Sequence, residues 1–159
     1  MVELAPAVAV RIRLKVFPGN RLAASVAVDG TTVTLRLENL SRGTFFAKQL
    51  AMDAPDLYSA EWIAEAPTGC NASGHCQVLP LARFGHVSFR HSQTTGDGHI
   101  GTIVDPAWSP TPIWMVTDPG FAGPLGAFTA GTGGVPSPLS PDGASFTVAW
   151  QTNVTPPGP

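Results

Sequence analysis

The chain has 159 residues, of which 13% are charged, and its net charge of −2 is accompanied by no basic cluster. A nucleic-acid-binding surface is therefore not expected, and no apolar run approaches the roughly 18 residues of a membrane span. The length suits one domain with a hydrophobic core. Abundant glycine (17) and proline (16), with many short alternating runs, predict an all-β antiparallel sandwich, jelly-roll or concanavalin-like, with long Gly/Pro-rich loops.

The first third of the chain reads as strands separated by turns. Val8–Val16 alternates apolar with basic side chains and predicts a half-buried strand, ended by the turn Pro18–Asn20. Asp29-Gly30 tolerates the positive φ angles of a two-residue turn and predicts a β-hairpin. The hairpin strands would be Leu22–Val28 and Thr31–Leu37, followed by a turn at Ser41–Gly43 and a strand at Thr44–Met52.

The stretch Tyr58–Glu65 also alternates like a strand. It would place Glu61 and Glu65 on one face and Trp62 on the other, in the core. Two carboxylates on one strand face are unusual, because an ionised carboxylate is costly to bury without partners. That face is therefore predicted to be wet or to line a cleft.

The remaining segments predict a second set of strands separated by loops. A polar loop is expected at His91–Gly98, and a long irregular loop at 118–143, where glycine and proline are frequent and alternation is weak. The predicted strands are Val78–Pro80, Phe84–Arg90, His99–Val104, Ile113–Thr117 and Ser145–Gln151. The domain would cover 1–151, with 152–159 as a frayed tail.

Two motifs resemble one family, the glutamic peptidases (eqolisins, scytalidoglutamic-peptidase-like). The run AEWIAE ends at Glu65, a short loop bounded by Cys70 and Cys76 follows, and QVLPLARFGHVSF completes the match. The resemblance is densest over 58–89 and extends over about 1–151. SPDGASFTVAW also looks like the family's terminal strand.

The resemblance implies an acid-acting endopeptidase that needs no cofactor. Glu65 would be the general base that activates water, and Glu61 and Glu3 would contact substrate or support the site. It also implies a Cys70–Cys76 disulfide and a secreted, extracellular, monomeric protein acting on polypeptides. From the residues alone, two cysteines are weak evidence for a disulfide, and a free pair is the default interpretation. No signal peptide is visible, since the basic residues follow the apolar N-terminal run.

The family's catalytic glutamine has no counterpart here. Family members carry it in a segment before the aromatic stretch to which Glu3-Leu4-Ala5-Pro6 is similar. The glutamines in the matched region lack its sequence context, so the role is assigned to none of them: Gln49, Gln77, Gln93 and Gln151.

Two interpretations therefore stay open at the level of sequence. One is a glutamic peptidase, active or degenerate. The other is a non-catalytic β-sandwich that binds an extended peptide or a glycan in a concave face, because fold alone does not choose between enzyme and lectin. No metal site is predicted, since His86, His91 and His99 fit no zinc spacing.

Overall fold

A computed structural model describes residues 10–71, 73–79, 81–117, 121–122, 127–128 and 131–154. Within these residues the regular structure consists of β-strands that pair antiparallel, and it includes no helix. Accordingly, no helix capable of crossing a membrane occurs in the described residues. The contacts of the chain divide it into two compact units, Met1–Ser59 and Ala60–Pro159.

The first unit contains a three-stranded sheet in the order β1-β2-β3. The predicted hairpin is confirmed, with Asp29 opposite Thr32, so that the connecting residues are Gly30 and Thr31. Gly30 has φ of +55°, which suits the first central position of a type II′ turn. The predicted strand after the hairpin is also confirmed. The strands are β1 (Leu22–Asp29), β2 (Thr32–Asn39) and β3 (Thr44–Ala51).

One face of this sheet is apolar. In β2, Val33 is buried and Leu35 and Leu37 are half-buried, whereas Thr32 and Arg36 are exposed, as the alternation predicts. Val33 aligns with Val28 and Leu50 on the neighbouring strands. The period-2 pattern therefore sets the register of the sheet.

Asn39, the last residue of β2, is fully buried (0% exposed). Its Nδ2 donates to the carbonyl oxygen of Lys15 at 3.0 Å and to Oδ1 of Asn20 at 2.8 Å. Its Oδ1 accepts from the backbone N–H of Ser41 at 3.1 Å. One side chain thus ties the end of β2 to the predicted turns at Pro18–Asn20 and Ser41–Gly43.

The second unit contains a four-stranded sheet in the order β6-β13-β12-β9 and three two-stranded hairpins. The hairpins are β4-β5, β7-β8 and β10-β11. The strands are β4 (Thr68–Cys70), β5 (Cys76–Val78), β6 (His86–Phe89), β7 (Gln93–Gly96), β8 (His99–Thr102), β9 (Met115–Thr117), β10 (Phe121–Ala122), β11 (Ala127–Phe128), β12 (Gly131–Pro136) and β13 (Phe146–Val154).

The prediction of one irregular loop over 118–143 is wrong, because β12 lies inside it, between β13 and β9. Its glycines reflect close packing rather than a turn. A Cβ on Gly133 would collide with the carbonyl oxygen of Met115, and one on Gly134 would lie 3.0 Å from a methyl group of Val148. Glycine in a strand can mark such a close approach.

The prediction of a polar loop at His91–Gly98 is also wrong, since β7 pairs with β8. Asp97 and Gly98 form the turn with φ of +51° and +77°, the positive values that a type I′ turn requires. Asp-Gly also occurs at the β1-β2 connection. Around Asp97-Gly98, however, the flanking residues are polar, so hydrophobic alternation did not indicate the two strands.

Two predicted strands are absent as strands. Within Val8–Val16, the described part 10–16 contains an isolated bridge at Val10, although Ile12 and Leu14 are half-buried and the basic residues are exposed. The stretch Tyr58–Glu65 likewise carries no strand pairing. Alternation marks which side chains face inward, but a strand also needs a neighbour that accepts its backbone hydrogen bonds. Of the predicted tail 152–159, residues 152–154 belong to β13, and 155–159 lie outside the described residues.

Candidate functional site

The two glutamates of AEWIAE lie in an irregular stretch, and both Glu61 and Glu65 are exposed. Trp62 is half-buried. Ala66, directly after Glu65, is buried at 5% exposure. In the described part of the chain neither glutamate has a hydrogen-bond or ion-pair partner. Both carboxylates are therefore open to water and to a ligand.

The chain after Glu65 is fixed by the β4-β5 hairpin. Cys70 and Cys76 are opposite each other in its register. Asn71 Oδ1 accepts from the backbone N–H groups of Ser73 and His75, both at 3.0 Å. These bonds organise the short loop locally, as Asn side chains commonly do in turns.

The glutamines give Glu65 no amide neighbour in the described residues. Gln49 Nε2 donates to Thr34 Oγ1 at 3.5 Å in the first unit, and Gln93 is exposed at the start of β7. Gln151 lines a cavity described below. The side chain of Gln77 and the whole of Glu3 lie outside the described residues.

An open cavity of about 460 Å³ lies at the end of β13. Its lining residues come from two segments of the second unit: Arg83, Gly85, Trp150, Gln151, Thr152 and Asn153. The guanidinium carbon of Arg83 lies 5.4 Å from the centre of the Trp150 ring, within the range of a cation–π contact. Arg83 and Gly85 belong to QVLPLARFGHVSF and Trp150 ends SPDGASFTVAW, but neither of these family motifs indicates by itself that the two segments line a cavity.

A second polar cluster surrounds Asp105. Its Oδ1 lies 2.9 Å from His99 Nε2 and accepts from the backbone N–H of Ala107 at 2.9 Å. The indole of Trp108 contacts the His99 ring edge-on and donates to the carbonyl of Thr102 at 2.8 Å. Two hydrogen bonds lower the pKa of Asp105 below its ordinary value; the one from the Ala107 N–H has the larger effect, and the one with His99 the smaller.

This cluster predicts a pH-dependent contribution to stability. Folding lowers the pKa of Asp105, so its ionised carboxylate stabilises the folded state. This stabilisation is fully present above the ordinary aspartate pKa of about 3.9, and it is lost as the pH falls through the lower folded-state pKa. We expect Asp105→Asn to lower the melting temperature near neutral pH but not at about pH 2. Asp97→Asn, in the adjacent turn, is the matched control. An Asp105→Asn deficit of equal size at both pH values would refute the charge-based explanation.

Asp142 is held in a similar way at the turn before β13. The hydroxyl of Ser140 donates to its carboxylate, and the backbone N–H of Ala144 does so at 3.1 Å. The Ser140 bond is the larger cause of a lowered Asp142 pKa. Since these groups lie within one turn, the cluster stabilises the turn and offers no catalytic pair.

The histidines do not assemble into a metal site in the part of the chain that the structure describes, where no group of three or more His, Cys, Asp or Glu side chains converges. His86 lies in β6, and His91, with φ of +55°, begins the turn after it. His99 is engaged with Asp105.

Comparison with known proteins gives a family and a fold. The family described as "Peptidase A4 family" matches residues 1–113. The crystal structure of aspergilloglutamic peptidase from Aspergillus niger is similar over 87% of this chain and 71% of its own, with 20% identity and a TM-score of 0.59. This likeness shows the fold and confirms the antiparallel β-sandwich. No curated protein matches the chain.

Proposed function

The chain belongs to the Peptidase A4 family, the glutamic peptidases, and we propose that it is an acid-acting endopeptidase in which Glu65 is the general base. The observation that carries this proposal is the family match over 1–113, which contains AEWIAE. The exposure of Glu65 supports it, because a general base must reach both water and substrate.

The chemistry asks two things of one carboxylate. It takes a proton from the water that attacks the scissile carbonyl, and it then returns a proton to the leaving amine. Proton transfer of this kind is most efficient when the pKa of the group lies near the working pH. A glutamate, ordinarily near 4.3, is therefore suited to peptide hydrolysis in acid.

The developing oxyanion needs a hydrogen-bond donor, and a neutral amide can donate without titrating. In the family this donor is a glutamine. We assign the role to no glutamine of this chain, because none of them lies in the sequence context of the family's catalytic glutamine. Glu61 and Glu3 are proposed to contact the substrate or support the site, Glu61 because it is exposed beside Glu65.

We also propose a Cys70–Cys76 disulfide, since the two cysteines of the sequence are opposite each other in the β4-β5 hairpin. The bridge would hold the loop that follows Glu65 and would suit a secreted, extracellular protein. A free thiol found by alkylation of the unreduced protein would refute it. We further propose that the protein is a monomer with one functional domain over residues 1–151.

The proposed class is tested by cleavage of denatured casein between about pH 2 and pH 7, with and without pepstatin, an inhibitor of aspartic peptidases. We expect cleavage that is strongest in acid and is unaffected by pepstatin. Pepstatin-sensitive cleavage would indicate a contaminating aspartic peptidase. Absence of cleavage by a folded, monodisperse protein would contradict the enzyme proposal and favour the binding interpretation.

A further inference from the structure

Among the described residues that line the cavity at the end of β13, one carries a charge. Arg83 is the cation, and the other lining residues are neutral: Gly85, Trp150, Gln151, Thr152 and Asn153. Two amides and a hydroxyl add hydrogen-bonding groups without adding negative charge. The electrostatic character of this cavity is therefore positive, which suits an anionic ligand group.

Arg83 is oriented but unpaired. Its guanidinium lies over the Trp150 ring, 5.4 Å from the centre, and in the described part of the chain no carboxylate forms an ion pair with it. Stacking on an aromatic face leaves the N–H groups at the edge of the guanidinium plane available. An arginine presented in this way matches the two oxygens of a carboxylate.

The walls of the cavity are held by the central sheet of the second unit. The backbone N–H of Trp150 donates to the carbonyl of Gly85 at 2.8 Å. Trp150 and Gln151 are opposite Gly134 and Gly133 of β12. Trp150 and Gln151 therefore have a fixed geometry, since residues on paired strands are held better than residues on free loops, and Trp150 in turn contacts Arg83 in the segment before β6.

We propose that this cavity is a carboxylate-binding subsite for polypeptides, with Arg83 as the residue that pairs with the carboxylate. The carboxylate is either an acidic side chain of the peptide or its C-terminus, and both sources present the same two oxygens. That the bound molecule is a polypeptide rests on the proposed peptidase function. The subsite would then select peptides by charge.

The test measures binding without turnover. Three short glycine-rich peptides are titrated into ¹⁵N-labelled protein near pH 6: one with an internal glutamate and an amidated C-terminus, one with a free C-terminal carboxylate, and one neutral. The readout is the NMR shift of the Trp150 indole and Gln151 backbone N–H signals. We expect at least one acidic peptide to shift these signals in a saturable way, and the neutral peptide to leave them unchanged. Which of the two acidic peptides binds identifies the source of the carboxylate.

Arg83→Gln should weaken that binding roughly tenfold, the loss expected when a charge-assisted hydrogen bond is removed. Arg90→Gln, which removes an exposed arginine just after β6, is the matched control and should bind like the wild type. Lowering the pH to about 3 should also weaken binding, because the peptide carboxylate becomes protonated while arginine stays charged.

Equal shifts with the neutral peptide, unchanged affinity in a folded Arg83→Gln variant, or no binding to the wild-type protein would each overturn the inference. If the Arg83→Gln variant does not fold, the comparison with the neutral peptide and the binding at lower pH still test whether the cavity binds a carboxylate. Failure of casein cleavage together with charge-dependent peptide binding would refute the proposed enzyme and leave this subsite standing.

Discussion

Replacing Asn39 by leucine is expected to destabilise the folded chain by about 2–4 kcal/mol, because it removes buried hydrogen bonds and leaves their partners unpaired. Asn39 is fully buried and bonds to the Lys15 carbonyl, Asn20 Oδ1 and the Ser41 N–H. Leucine keeps the branching and the heavy-atom count of asparagine but can neither donate nor accept, so the lost hydrogen bonds add to the cost of fitting its bulkier methyl groups.

The measurement is thermal unfolding followed by circular dichroism. A loss of this size should lower the melting temperature by roughly 5–15 °C for a chain of this length. The matched control is Glu38→Gln at the preceding position, where the Glu38–Arg36 ion pair at 3.0 Å is partly solvent-exposed and should be worth less than about 1 kcal/mol. A leucine variant as stable as wild type would show that Asn39 does not anchor the two turns.

The turns and the sheet of the first unit follow from the sequence for a clear physical reason. Pro18-Gly19 and Gly43 occupy positions where the chain reverses, and the glycines have φ of +81° and +63°. Asp29-Gly30 fixes a tight connection, so the alternation on either side determines which residues face inward. The buried Val33 is predicted by this pattern alone.

The second unit was less predictable, because its central strand β12 is rich in glycine. Glycine is disfavoured in strands by its entropy and lack of packing surface, so β12 reads as a loop. Its place in the sheet depends on the backbone of Met115 approaching Gly133. That is a long-range contact that no local pattern indicates.

The proposed site is indicated by a motif through resemblance, whereas its geometry could not be predicted from the sequence. AEWIAE identifies Glu65 through resemblance, yet the strand predicted to carry it is absent, since alternation does not supply a pairing neighbour. The cavity with Arg83 depends on two segments that are more than 60 residues apart in the sequence. Both segments lie in or next to motifs of the family resemblance, yet neither motif indicates that the two segments meet.

Glu65→Gln is expected to reduce the rate of acid peptide hydrolysis by a factor of roughly 10²–10⁴, the usual contribution of a positioned general base. Glutamine keeps the size and polarity of the side chain but cannot accept the proton of the attacking water. Because Glu65 is exposed and unpartnered in the described residues, the substitution should leave the melting temperature unchanged. Glu61→Gln makes the same chemical change four positions away and should cause a much smaller loss.

The most direct test of glutamic peptidase function is kcat/KM for one defined peptide at the acid optimum. It is measured in parallel for the wild type, Glu65→Gln and Glu38→Gln, with each protein shown to be folded. We predict that Glu65→Gln loses at least about a hundredfold, whereas Glu38→Gln behaves as the wild type. Comparable activity in a folded Glu65→Gln variant would contradict the account and remove Glu65 as the general base.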